Sequence, residues 1–229
     1  MSAPARKSDL GVRTVTALAM LAVSGIALWL GGLAWMLFVV AVAAGVFFEW
    51  GVLVLLAHPP GGARLAWRLG GAVYCAVAAV TLVVLRESAM GALPVLIVVG
   101  AVIGTDVGAY FAGRAIGGPK IAPAISPSKT WAGLVGGMVG AALVILLLVA
   151  TRKDTDYTLW LVLAMGALIA MVAQAGDFFE SWMKRRAGVK DSGKLLPGHG
   201  GLFDRVDGLL SVTFVLGVIF MISRLLGHS

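Results

Sequence analysis

Apolar runs as long as a bilayer is thick dominate this sequence and constrain it most. Between Trp131 and Ala150 no residue carries a charge. A helix rises about 1.5 Å per residue, so about 20 such residues cross the hydrocarbon core of a membrane. Comparable runs recur at residues 14–30, 33–57, 67–85, 89–112, 159–176 and 209–226. The chain is 60% hydrophobic and 13% charged, whereas soluble domains carry about 25% charged residues. A water-soluble core of 229 residues cannot take in that much apolar surface. The runs are continuous rather than alternating, which argues against a β-barrel. The expected fold is all-α, a polytopic transmembrane helical bundle of about seven spans in a single integral-membrane domain, 1–229.

Charge sets the expected orientation. The net charge is +7, and cytoplasmic loops of membrane proteins collect Lys and Arg. With the N-terminus cytoplasmic, every basic residue except Arg86, Arg152, Lys153 and Arg224 falls on the cytoplasmic side. Residues 1–13 then form a frayed cytoplasmic tail, 14–112 the N-terminal spans and 113–229 a second half with cytoplasmic loops at 113–130 and 184–207. The first run resembles a signal peptide in length, but no small-x-small cleavage site follows it, so it is expected to be retained. No basic stripe with interleaved aromatics appears, which argues against nucleic acid as a partner. The single cysteine, Cys75, forms no internal disulfide and no thiolate metal site. Trp35, Trp50, Trp67 and Trp131 read as interfacial anchors.

Polar residues crowd into two places. In the first, Asp177, Glu180, Ser181 and Lys184 follow at i, i+3, i+4 and i+7, so one helical face holds them. Carboxylates at the C-terminal end of a span oppose the helix dipole and need a cation or a basic partner. Asp204 and Asp207 sit three apart at the start of the last span, where capping is the simpler reading. Together these carboxylates suit a hard cation such as Mg²⁺, which binds few carboxylates and awaits phosphate oxygens. Between them, Gly188, Gly193, Gly198, Gly200 and Gly201 allow close backbone approach to an anion. Lys184, Arg185, Lys190, Lys194 and Arg205 offer cations for phosphates. No Walker loop is present.

The second place runs from Asp106 to Thr130. Asp106, Tyr110 and Gly113 share a helical face, and an ionisable residue within a span is a functional candidate by default. An interhelical hydrogen bond is the structural alternative. Arg114 and Lys129 read equally well as lipid-surface anchors. Glu49 interrupts the second run, and a structural or pairing role is expected for it. The Gly-rich run from Gly133 to Gly140 suits close helix packing in lipid.

Ser181 to Asp207 resembles the signature of the phosphatidate cytidylyltransferases, the CDP-diacylglycerol synthases. The residues that carry it are Ser181-x-Met183-Lys184-Arg185, Lys190-Asp191, and His199-Gly200-Gly201-Leu202-x-Asp204-Arg205-Val206-Asp207. Asp106-x-Gly108-Ala109-Tyr110, Gly113-Arg114 and Ser126-Pro127-x-Lys129-Thr130 resemble the family's second region, and Gly176-Asp177 matches as well. One departure is Ala132, where many members carry Glu.

The resemblance implies transfer of CMP from CTP to phosphatidic acid, giving CDP-diacylglycerol and pyrophosphate. It implies Asp177, Asp204 and Asp207 as metal ligands, with Asp191 as a candidate fourth, for one divalent cation, Mg²⁺ or a similar ion, or for two. Lys184, Arg185, Lys190, Asp191, His199 and Arg205 would be catalytic, with His199 either a phosphate donor or a turn residue. Asp106, Arg114, Ser126, Lys129, Thr130, Ser181, Gly200 and Gly201 would bind substrate. A bacterial-type inner membrane with the active site facing the cytoplasm is implied, with membrane lipids as partners and a homodimer left open. The competing class is a cation-coupled transporter, which would place Asp106 and Glu49 near the membrane midplane. A non-catalytic membrane scaffold is the third class.

Overall fold

The computed structural model describes residues 8–150 and 158–227. Among them seven helices follow in order: α1 (Ser8–Leu30), α2 (Gly32–Leu56), α3 (Gly61–Arg86), α4 (Leu93–Ala115), α5 (Trp131–Ala150), α6 (Leu159–Arg186) and α7 (Phe203–Leu225). Each is long and apolar enough to cross a membrane. Helices satisfy their backbone groups internally, as a hydrocarbon environment demands. The one other element is an antiparallel hairpin of β1 (Lys120–Ala122) and β2 (Ser126–Thr130), within a stretch expected as plain loop. Arg6, Lys7, Arg152, Lys153, Asp154, Asp156 and His228 lie outside the described residues.

The connections sort into two ends. At one, Arg86 Nε donates to Leu28 O (2.8 Å), and Gly32 N–H donates to Glu87 (3.1 Å). These bonds clamp the α1–α2 turn, where Gly31 takes φ 64°. A Cβ there would strike the Arg86 guanidinium. At the other end, the α6–α7 connection touches α2 through Glu49 and α1 through Val12 and Arg13, which lie against Gly198. Lys129 of β2 pairs with Asp177 of α6 at this end too. The two polar constellations therefore share one end of the bundle.

Small residues set the closest helix crossing. Gly104 and Gly108 of α4 face Gly136 and Gly140 of α5, and a Cβ at Gly108 or Gly140 would run into the opposing backbone. Lipid tails offer no hydrophobic drive between helices, so van der Waals contact of this kind is what binds them. A second core is aromatic. Trp50 of α2 lies 5.6–6.2 Å, ring centre to ring centre, from Trp67, Tyr74, Phe179 and Phe203.

Three expectations need correction. Trp35 and Trp50 are core residues, 5% and 3% exposed, and not interfacial anchors. Their indole N–H groups donate to Leu82 O and Trp67 O within the bundle, so the polar tip that would bind the interface is spent inside. Residues 8–13 begin α1 rather than a frayed tail.

The third correction is α6, which continues ten residues past Gly176 to Arg186. The run of hydropathy ends at Asp177, but Phe179, Trp182 and Met183 keep packing against the aromatic core. Gly188 ends the helix at φ 69°. Its N–H bonds Arg185 O (3.2 Å) and Val189 N–H bonds Lys184 O (3.0 Å), a Schellman motif. This glycine therefore terminates a helix rather than cradling an anion. Asp177, Glu180 and Lys184 stand inside a helix wall, not at its frayed end.

Candidate active site

The loop from Gly188 to Leu202 is built around two carboxylates. Asp204, in the first turn of α7, accepts through Oδ2 from Ser192 N–H (2.9 Å), Gly201 N–H (2.9 Å) and Ser192 Oγ (3.1 Å). Its Oδ1 accepts from Lys184 Nζ (2.7 Å), which also pairs with Glu180 (2.5 Å). The second carboxylate is Glu49, reaching over from α2 and 1% exposed. It accepts from Leu202 N–H (3.0 Å), Phe203 N–H (2.8 Å) and Ser192 Oγ (2.9 Å). The first amides of a helix have no intrahelical acceptor. Leu202, the N-cap of α7, makes no side-chain cap bond, and Glu49 supplies the acceptor from another helix. Its charge also complements the positive end of α7.

The glycines of the loop make room for these carboxylates. A Cβ at Gly193 would collide with the Glu49 carboxyl, and one at Gly201 with Ser192 Oγ. Gly198 and Gly200 take φ 74° and 83° and form the turn that Leu196 and Gly200 close. His199 belongs to this turn. Its N–H donates to Leu196 O, and its carbonyl accepts from Arg205 Nη2 (2.7 Å) and Nε (3.2 Å). Its ring Nδ1 is buried with no hydrogen-bond partner among the described residues. Arg205 thus braces the turn, while Arg185, Lys190 and Asp191 are exposed beside it.

The other constellation lines a cavity of about 460 Å³ between α4, β2 and α6. Asp106, Tyr110, Gly113 and Arg114 come from α4, Lys129 and Thr130 from β2, and Gln174 from α6. Lys129 Nζ bonds Asp177 Oδ2, and Ser181 Oγ donates to Asp177 Oδ1 (3.4 Å). Asp106 and Asp207 are electrostatic neighbours of this pair. Arg114 donates to Tyr110 Oη (2.9 Å) and stacks on its ring. Thr130 is buried and caps α5 through Gly133 N–H (3.0 Å), so it holds the hairpin to the helix. Ser126, at the start of β2, is not among the residues lining the cavity.

The sequence grouped Asp177, Asp204 and Asp207 as one ligand set, and the structure divides them. Asp204 gives both oxygens to Lys184 and the loop. Asp177 and Asp207 belong with Asp106 and Lys129. Among the described residues no group of three or more His, Cys, Asp or Glu side chains is placed to hold an ion by itself. The donor chemistry of Asp177 and Asp207 still fits a hard cation, since both are oxygen donors, Asp177 paired with a lysine that lines the cavity and Asp207 its electrostatic neighbour. Asp204 could join them only by releasing Lys184 or a loop amide.

One residue escaped the sequence reading, and so did the partners of another. Glu49 has the structural, pairing role expected of it, but its partners stand more than 140 positions away, and one lone carboxylate carries no periodic signal that would find them. Gln174 lies three residues before Asp177 on the same face of α6, but an amide inside an apolar run attracts no notice beside a charge. The transporter reading loses its footing, because the polar groups gather at one end of the bundle.

Residues 62–223 match the Cytidylyltransferase family. The phosphatidate cytidylyltransferase of Brucella suis is 34% identical, the match covering 93% of this chain and 95% of that protein. A protein of the same name from Pseudomonas aeruginosa is 38% identical over 60% of this chain and 51% of its own length. Another, from Staphylococcus saprophyticus, is 44% identical over 51% of this chain and 45% of its own. A carboxylate-lined cavity and a braced glycine loop at one end of a membrane-spanning bundle therefore have a known setting, and the chain belongs to the cytidylyltransferase family.

Proposed function

We propose that the chain transfers CMP from CTP to phosphatidic acid at the membrane surface. A phosphate oxygen of the lipid attacks the α-phosphorus of CTP, the bond from that phosphorus to the bridging oxygen of the β-phosphate breaks, and pyrophosphate leaves. The observation that carries this reading is the cavity beside Lys129 and Asp177, which is lined from membrane-spanning helices and the hairpin at the end of the bundle that also carries the braced loop. A lipid phosphate can reach that place without leaving the bilayer.

Both substrates are anions, so catalysis is chiefly positioning and charge screening. Lys129 and Arg114 line the cavity and would hold the lipid phosphate. Lys184, with the exposed Arg185 and Lys190, would meet the triphosphate at the loop. His199, in the turn that Arg205 braces, would donate to the same anion from its ring. Asp177 and Asp207 would hold a divalent cation, Mg²⁺ by its preference for oxygen donors, joined by Asp204 once Lys184 turns from it to a phosphate. Bound there, the ion would screen the charge between the two substrates. Purified protein given labelled CTP and phosphatidic acid should form CDP-diacylglycerol with Mg²⁺ present and none in excess chelator. Product formation undiminished by chelator would remove the ion from the scheme.

The active end is proposed to face the cytoplasm of a bacterial-type inner membrane, because Lys and Arg concentrate in the connections there. Ser128 and Lys194 are exposed at that end. Cysteines placed at these two positions should resist a membrane-impermeant thiol reagent in intact cells and react in inverted vesicles. Reaction from outside would reverse the orientation.

A further inference from the structure

Gln174 is 4% exposed, and neither its Oε1 nor its Nε2 has a hydrogen-bond partner among the described residues. A buried amide left unpaired costs about 1–3 kcal/mol, and native proteins keep few such groups. Gln174 also lines the cavity beside Lys129, so a substrate that enters this cavity can supply the missing partner. Both amide atoms are unpartnered, so either orientation of the side chain leaves an N–H donor to be satisfied.

The position says which part of a substrate lies there. Three residues separate Gln174 from Asp177, about 4.5 Å along the axis and on the same face. Gln174 is on the lipid-buried side of that step, since α6 continues beyond Asp177 toward Arg186 and the loop. A phosphatidic acid whose phosphate lies at Lys129 and Asp177 carries its glycerol and acyl ester groups inward of the phosphate. The ester carbonyls are then its next hydrogen-bond acceptors, a few bonds from phosphorus. Tyr110, at the cavity edge, is 57% exposed on the membrane-spanning face of α4, which leaves the acyl chain a way out to lipid. A nucleotide base is a poor occupant for this depth, because its remaining polar edges would be buried without partners.

We propose that Gln174 donates a hydrogen bond from Nε2 to an ester carbonyl of the phosphatidic acid, and so distinguishes ester-linked from ether-linked lipid. This rests on the substrate reading above. Loss of a single bond that leaves a buried amide unpaired corresponds to about a tenfold change in kcat/KM.

The test compares diacyl phosphatidic acid with its dialkyl ether analogue, of equal chain length, in mixed detergent micelles. The wild-type protein should use the ether lipid about tenfold less well, measured as kcat/KM. Gln174→Met should lose about tenfold on the diacyl lipid and less than about twofold on the ether lipid, with KM for CTP unchanged. Equal losses on the two lipids would show that the amide serves the fold. A raised KM for CTP would place it against the nucleotide, and wild-type indifference to the ether would remove the bond; each overturns the proposal. The wild-type comparison stands even if the variant does not fold. An inactive wild type on diacyl lipid and CTP would instead overturn the substrate reading.

Discussion

The loop between α6 and α7 and the cavity between α4 and β2 hold the same kinds of side chain in opposite states. In the loop, Asp204 and Glu49 together accept four backbone N–H bonds and share the Ser192 hydroxyl. Beside the cavity, Asp177 has one lysine and one long bond from Ser181, and the Gln174 amide has no hydrogen-bond partner among the described residues. Satisfied polar groups fix a geometry, while unsatisfied ones await a partner. The loop is a rigid part that presents cations, and the cavity is the receptive part. Identical residue types therefore predict different consequences when changed.

Asp177→Asn should produce the largest effect on chemistry. It removes a charge where substrate charge must be screened, so turnover should fall at least ~100-fold. Its side chain is partly exposed, so the unfolding midpoint in detergent should move by no more than about 2 °C. Asp204→Asn should reverse that balance. It breaks a buried ion pair with Lys184, since the one remaining carbonyl oxygen can serve the two loop amides or the lysine but not both, a loss of about 3 kcal/mol, or roughly 6–12 °C in a chain of this size. Paired activity and thermal-melt measurements check both variants. Asp204→Asn with an unchanged melting temperature would break the comparison.

Glu49→Gln should give a stability change between those two. The amide keeps one acceptor and turns a donor toward N–H groups that are themselves donors, which costs about 1–3 kcal/mol. Local opening of the loop should speed tryptic cleavage at Lys190 and Lys194, both exposed. Unchanged cleavage would show that Asp204 alone holds the loop. From sequence alone a structural or pairing role is expected for Glu49, and its bonds to Ser192, Leu202 and Phe203 are what that role consists of.

Sequence periodicity located all seven helices, because apolar runs report lipid contact directly. Residues 131–150 match α5 at both ends. Charge misplaced the end of α6, since hydropathy falls at Asp177 while the helix persists on its packed face as far as Gly188. The face shared by Asp106, Tyr110 and Gly113 was legible, being a matter of spacing, and all three line the cavity. The division of Asp204 from Asp177 was not. It depends on Ser192 and Gly201 folding back onto α7, which no local spacing encodes. Trp50 misled for a related reason. A tryptophan near the end of a span has the same sequence context whether it faces headgroups or four other rings.

The reach of Glu49 across the bundle has a consequence for biogenesis. Its bond to Phe203 N–H joins residues 154 positions apart. A ribosome adding about 5–20 residues per second takes roughly 8–30 s between those two points. Throughout that interval the second helix carries a carboxylate whose acceptor duties have not begun, and an unpaired charge is costly within hydrocarbon. Insertion of the early helices must therefore leave that side chain access to water or headgroups until the last helix arrives. The final helix then does more than complete the bundle, because its first amides release the second helix from that wait.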